Sequence, residues 1–401
     1  MRVEISAGKL SGNVCAPPSK SMAHRALICA YLSGQPCVIE NIAYSADIRA
    51  TIGALRALGA DIEELDASVV ISRGNENDDA INCGESGSTL RFMIPLCLTT
   101  GRRIKLCGTK RLFSRSLSVF ETLCRERGFE FIQDDESVTV CGSLRPGEYR
   151  LQSDISSQFI SGLMFALPQL AGDSVIELLG KTESMPYIEL TAAALRDFGV
   201  TVNIAQNRIE IPGNQKYTAR RYTVEGDWSN AAFFFAMNTV GHDVHVTGLD
   251  PESIQGDRIC LEYFDKIEVS APTLDIADCP DLAPVLMCSM AANHGGVLTG
   301  TKRLKIKESD RGEVMARELE KFGVPVTVEE NRIAVGHGLT KPNIPLFGHN
   351  DHRIVMALSI LCTKTGGIID GAQAISKSMP DFFTKTQALG AEIRRINTDE
   401  A

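Results

Sequence analysis

Six times along this chain a short polar or charged cluster runs straight into an apolar stretch of helical length. SKSMAHR (19–25) leads into ALICAYL, SGSTLR (86–91) into FMIPLCL, and SSQ (156–158) into FISGLMFAL. DWSN (227–230) leads into AAFFFAM, CPD (279–281) into LAPVLMCSMAA, and NDHR (350–353) into IVMALSILC. A second signal repeats in step with the first, a helix stop at glycine followed by alternating β-type residues: Gly59, Gly128, Gly199, Gly323 and Gly390. Glycine beyond the last helical turn predicts a left-handed cap. The member expected near YFDKIEV (263–269) has no glycine. The stops recur about every 70 residues, which marks an internal repeat.

Each repeat therefore holds a buried helix, a second amphipathic helix that ends in glycine, and short strands between them. One such unit is too small to close a core alone, so the units must share cores. At 401 residues with 44% hydrophobic content, two domains of three units each are expected, with a boundary near YTVEGDWSN (222–230).

Lys+Arg 41 against Asp+Glu 50 gives a net charge of -9, which argues against nucleic acid or an anionic membrane as the main partner. The twelve cysteines are scattered, without C-x-x-C pairs or zinc spacing. No signal core precedes them and no apolar run is of membrane-spanning length. A soluble, cytoplasmic protein with reduced thiols is the expectation.

What gathers at the helix starts is chemical. A helix N-terminus offers unpaired N–H groups and the positive end of its dipole, so it favours anions. Ser19, Ser21, Ser86, Ser156, Asp227 and Asp281 are capping types at these places. Lys20, Arg25, Arg91 and Arg353 lie in or beside them. A lone arginine at a helix end is ordinarily a solvated charge, but recurrence at equivalent positions points to anion binding. KESDR (307–311) places Lys307 and Arg311 four apart, and Glu308 and Arg311 three apart, so on a helix start they would share a face. As a surface pair that would contribute well under about 1 kcal/mol. ISKSMPDFF (375–383) adds Lys377, and TKRLFSRSL (109–117) adds Arg115.

With ESGSTLR (85–91), SMPY (184–187), CPDLA (279–283), KESDR, NDHR and KSMPDFF (377–383) in serial order, the chain resembles the 5-enolpyruvylshikimate-3-phosphate synthases of the enolpyruvyl transferase family over essentially its whole length. The resemblance implies a two-domain inverted α/β fold, each domain built from three βαβαββ repeats, with the active site in the interdomain cleft. The N-terminal strand would be threaded into the second domain, giving domains of 18–226 and of 1–17 joined with 227–401. It implies transfer of the enolpyruvyl group of phosphoenolpyruvate to the 5-hydroxyl of shikimate 3-phosphate, without metal or organic cofactor, by a monomer.

Carried over by motif, Lys20, Ser21, Arg25, Ser156, Ser157, Gln158, Ser184, Asp281 and Lys307 would bind shikimate 3-phosphate. Lys20, Gly87, Arg115, Gln158, Arg311, Arg353 and Lys377 would bind phosphoenolpyruvate. The resemblance implies Asp281 as the acceptor of the hydroxyl proton, with Glu308, Lys20 and Lys377 moving the methylene proton and His352 in support. Gly87 is the small residue that leaves room for glyphosate in sensitive members, so glyphosate is a candidate inhibitor. Pro18, His24, Glu85 and Met185 depart from the commoner pattern; a carboxylate at Glu85 would oppose a nearby anion unless turned away or paired.

The nearest alternative, UDP-N-acetylglucosamine enolpyruvyl transferase, carries a cysteine a few residues before its equivalent of Arg115. Here the segment is CGTKRLFSR, with Cys107 well upstream. RNA 3'-phosphate cyclases share a related repeat, but their histidine motif is not evident. A binding protein on this scaffold would be expected to have lost one of Lys20, Asp281, Glu308 or Arg353. A cleft between domains also predicts closure on the first anion: adding shikimate 3-phosphate should reduce the radius of gyration in small-angle scattering, and an unchanged curve would count against closure.

Overall fold

The computed structural model describes residues 1–75, 78–152, 156–180 and 183–396. The chain divides into two compact units, Lys20–Glu225 and Met1–Ser19 with Gly226–Ala401. Each has its own hydrophobic core, one running from Met22 to Val224 and the other from Val3 to Leu389.

One sheet pattern explains both units. A strand pairs in parallel with the next strand of its repeat across a helix, and that strand pairs antiparallel with the last strand of a closing hairpin. In the second repeat Ala80–Asn82 lies parallel to Ile104–Cys107, which meets Ser137–Cys141, which meets Glu130–Gln133. The sheets of Gly147–Gln152 and of Thr273–Asp275 follow the same order. In the first repeat the leading strand is Arg221–Thr223, beside Cys37–Glu40, so the end of this unit completes its beginning.

The other unit closes through the chain's N-terminus. Arg2–Ile5 lies between Gly367–Asp370 and Ile393–Ile396, where the last strand of the sixth repeat would be. Ser11–Cys15 runs parallel to Asp243–Thr247 and leads the fourth repeat. Among the described residues that sheet has two strands: the helix Cys260–Val269 ends at Ser270 with an extended backbone, and the chain passes directly to Thr273–Asp275. The repeat without the glycine stop is also the repeat without the closing hairpin.

The five glycines have the conformation their positions demand, with φ of 96° at Gly59, 69° at Gly128, 80° at Gly199, 78° at Gly323 and 105° at Gly390. The apolar stretches form Lys20–Ser33, Gly87–Thr99, Ser157–Ala166, Trp228–Thr239, Ala283–Ala292 and His352–Thr365. These are buried nearly all round; Ala283–Met290 has no exposed face. Helices Gly87–Thr99 and Ser157–Ala166 cross closely because residue 162 is glycine: a Cβ there would lie 2.5 Å from the Arg91 carbonyl. Pro95 has no N–H to return to that carbonyl four residues back, so the close crossing falls where the helical ladder is already open. Among the described residues no helix is long and apolar enough to cross a membrane, and all twelve cysteines are free thiols.

Candidate active site

In the Lys20–Glu225 unit the first helix begins at Lys20, whose Nζ lies 2.7 Å from Asp47 Oδ2 on the next helix, Ala46–Ala57. Ser21 is thus inside the first turn rather than a cap, and the Ser19 hydroxyl donates to Gln255 Oε1 at 3.2 Å. Arg25, one turn further, is 3% exposed. Its Nε donates to Thr191 Oγ1, Nη1 to the Ser21 carbonyl and Nη2 to the Tyr187 carbonyl, at 2.9, 2.7 and 2.9 Å. Burial, only partly offset by Tyr187, Cys29 and Tyr222, pushes the guanidinium down to about 10. Arg25 therefore joins the helix of Lys20 to the helix Met185–Asp197, whose cap Ser184 is buried with a left-handed backbone, φ 58°.

A second group forms at the start of Gly87–Thr99. The Ser86 hydroxyl accepts from the Thr89 amide as N-cap. A Cβ on Gly87 would stand 2.7 Å from Arg115 Nη1 and 2.8 Å from Arg91 Nη1, so two guanidinium groups converge on the space this glycine leaves. Arg91 donates to Gln158 Oε1 at 3.3 Å, and Gln158 Nε2 donates to Ser88 Oγ at 2.9 Å. Gln158 reaches this mouth because Ser156 caps its helix by accepting from the Gln158 amide, with Ser157 buried beside it. Arg91 was absent from the ligand set the motifs imply, yet it stands with Gly87 and Gln158; its signal was the recurring basic residue behind a helix mouth.

The other unit holds a denser cluster. Asp281 does not cap a helix, contrary to its sequence position: it lies in the short turn Pro280–Leu282, and its carboxylate turns to three cations. Lys307 Nζ lies 3.1 Å away, Arg311 Nη1 2.7 Å and Arg353 Nη2 3.2 Å. Burial opposes the charge on Asp281, but Arg353, Lys307 and Arg311 outweigh it and hold the carboxyl well below the usual range. Burial lowers Lys307 in turn, against the raising influence of Asp281.

Lys307 and Glu308 are not on a helix. Asp310 caps the helix Arg311–Glu320, so both lie in the bend before it. The Glu308–Arg311 contact, 2.6 Å, is no surface pair either, since the Arg311 side chain is 1% exposed. Arg311 also donates through Nε to Asp351 Oδ2 at 2.9 Å. Despite burial, Asp351, Glu308 and Asp281 raise the Arg311 guanidinium above its ordinary value.

Asp351 was not singled out in the sequence, although it stands two residues before Arg353 in a helix-opening motif. It is fully buried, caps His352–Thr365 by accepting from the Arg353 amide, and accepts from Ser309 as well as Arg311. It thereby holds the Arg311 side chain and the Arg353 backbone. His352 is buried, with Nδ1 4.0 Å from Asp351 Oδ1. Asn350, φ 54°, presents its carbonyl to Lys377 Nζ at 2.5 Å.

Asp281, Asp351 and Glu318 are all held below the ordinary carboxylate range by partners that outweigh burial: the three cations for Asp281, Arg311 for Asp351, and His349 with Lys321 for Glu318. A depressed carboxyl contributes stability above its unfolded value and loses it as pH falls through its folded value. Thermal unfolding should therefore move to lower temperature below about pH 4, and Asp351→Asn should flatten that acid limb; an acid limb unchanged in the variant would contradict this.

Buried ion pairs clustered at helix starts and a repeated α/β sheet pattern in two compact units define the class of protein. The EPSP synthase (3-phosphoshikimate 1-carboxyvinyltransferase) family profile matches residues 5–386. A 3-phosphoshikimate 1-carboxyvinyltransferase of Clostridium kluyveri is 39% identical over 98% of both chains, and that of Clostridium novyi is 37% identical over 98% of both. The structure of an EPSP synthase from Acinetobacter baumannii superposes with a TM-score of 0.79 at 22% identity, covering 98% of this chain and all of that one. The chain belongs to the EPSP synthase family.

Proposed function

We propose that this chain transfers the enolpyruvyl group of phosphoenolpyruvate to the 5-hydroxyl of shikimate 3-phosphate, releasing phosphate. Family membership and the names of its relatives favour this acceptor over UDP-N-acetylglucosamine. The observation that carries the chemical reading is Asp281 among Lys307, Arg311 and Arg353, with Glu308 paired to Arg311.

In the addition step the 5-oxygen bonds to C2 of phosphoenolpyruvate, its proton passes to Asp281, and C3 gains a proton. In the elimination the C2–O bond to phosphate breaks and the C3 methyl loses a proton. Glu308, Lys20 and Lys377 are the groups proposed to move protons at C3, with His352 in support. Lys20, Ser21, Arg25, Ser156, Ser157, Gln158, Ser184, Asp281 and Lys307 are proposed for shikimate 3-phosphate. Lys20, Gly87, Arg115, Gln158, Arg311, Arg353 and Lys377 are proposed for phosphoenolpyruvate, and glyphosate is a candidate inhibitor.

A carboxylate held by three cations is a weak base. Anionic substrates that engage Lys307, Arg311 and Arg353 relieve that field, so the basicity of Asp281 rises as the reactants assemble. A cage of cations also offsets the repulsion between two multiply charged substrates. Because Glu308 contacts Arg311 through one oxygen that Gln can replace, Glu308→Gln should keep substrate affinity within a few-fold while slowing turnover at least about a hundredfold. Lost affinity with normal turnover would refute its proton role. A cytoplasmic monomer is part of the same proposal: twelve unpaired thiols support the compartment, and sedimentation tests the monomer.

A further inference from the structure

The helix Ala46–Ala57 supplies two side chains one turn apart, Asp47 and Thr51, to two side chains one turn apart on Lys20–Ser33. Asp47 takes Lys20 at 2.7 Å, and Thr51 Oγ1 meets His24 Nδ1 at 2.8 Å. From Thr51 the contact continues to Thr89 Oγ1 at 2.7 Å, and Thr89 Oγ1 donates to the Ser86 hydroxyl at 2.8 Å. Ser86 is the cap that precedes Gly87. His24, Thr51, Thr89 and Ser86 are all at most 1% exposed, so this is a buried polar thread between the starts of two helices that carry residues proposed to bind substrate.

The thread has a direction. Thr89 spends its hydrogen on Ser86, so it accepts from Thr51. Thr51 then accepts from His24, which requires the proton on Nδ1 and a lone pair on Nε2. Nε2 has no hydrogen-bond partner among the described residues, as a ring donating from Nδ1 alone would have. Burial first, then Lys20 and Arg25, keep the imidazole neutral by lowering its affinity for a proton well below the ordinary value. Nothing in the proposed chemistry calls for four buried polar groups here, and each link left unmade would cost a buried donor or acceptor its partner.

We propose that His24, Thr51 and Thr89 are positioning residues for phosphoenolpyruvate: they fix the Ser86 cap, and with it the start of Gly87–Thr99, relative to the helix that carries Lys20. The inference rests on the proposed function, and its test separates the two. Thr51→Val keeps the shape and cuts the thread. The phosphoenolpyruvate KM should rise about tenfold, the loss of roughly one buried hydrogen bond. The shikimate 3-phosphate KM and kcat should stay within about twofold, and Thr51→Ser should restore the wild-type KM. In the wild type, nitrogen NMR should show His24 protonated on Nδ1.

Unchanged phosphoenolpyruvate KM in Thr51→Val, or an equal rise in both KM values, overturns the positioning role, as does a ring protonated on Nε2. A lower melting temperature without the KM split means a structural thread only and overturns it too. Wild-type protein that releases no phosphate from this substrate pair would count against the function; the His24 tautomer would still decide the thread.

Discussion

Asp281→Asn should lower phosphate release about a thousandfold while leaving the KM for shikimate 3-phosphate unchanged or lower. Asn keeps the shape and can still accept a hydrogen bond, but it cannot take a proton from the substrate hydroxyl. The affinity prediction follows from the neighbours. Lys307, Arg311 and Arg353 lie 3.1, 2.7 and 3.2 Å from the Asp281 carboxylate, and each loses part of its counter-charge. An incoming phosphate or carboxylate then meets less competition. The same loss leaves buried cations poorly compensated, so the melting temperature of the variant should fall and added shikimate 3-phosphate should recover much of it. Near-normal turnover would remove Asp281 from the chemistry. Parallel loss of turnover and affinity would make it a binding group alone.

Gly87→Ala should raise the phosphoenolpyruvate KM by about tenfold or more, with little change in melting temperature. The new methyl would stand within 2.8 Å of two guanidinium nitrogens. Arg91 is 4% exposed and hydrogen-bonded to Gln158, so it has little room to yield. Arg115 is only half-buried and must swing away. Fold stability is spared because the far end of a side chain moves; anion binding should suffer because that end is the group proposed to hold phosphoenolpyruvate. Glyphosate inhibition should weaken in parallel if the inhibitor uses the same space. Steady-state kinetics with each substrate varied in turn reads the effect, and an unchanged phosphoenolpyruvate KM would contradict this account of Gly87.

The repeat was legible in the sequence because it rests on local rules. Glycine stops need a left-handed residue after the helix, and Gly59, Gly128, Gly199, Gly323 and Gly390 all have positive φ. The weak fourth repeat was visible as a missing glycine, though not as a missing hairpin. That Arg2–Ile5 completes the sixth sheet depends on long-range pairing, which periodicity does not report.

At the candidate site, residue types were easier to read than their local roles. Asp281 looked like a cap because a carboxylate before an apolar helix ordinarily is one; three nearby cations claim it instead. Lys307 and Glu308 looked helical by spacing, but Asp310 is the better cap and starts the helix later. Asp351 and the thread through Thr51 escaped notice because their partners come from separate helices and turns brought together only by packing.

The most direct test of the central claim is release of inorganic phosphate by purified protein given shikimate 3-phosphate and phosphoenolpyruvate, with UDP-N-acetylglucosamine as the parallel acceptor. Turnover with shikimate 3-phosphate, accompanied by stoichiometric enolpyruvyl ether product and absent with the nucleotide sugar, is the predicted result. Phosphate release only with UDP-N-acetylglucosamine, or with neither acceptor, would contradict it.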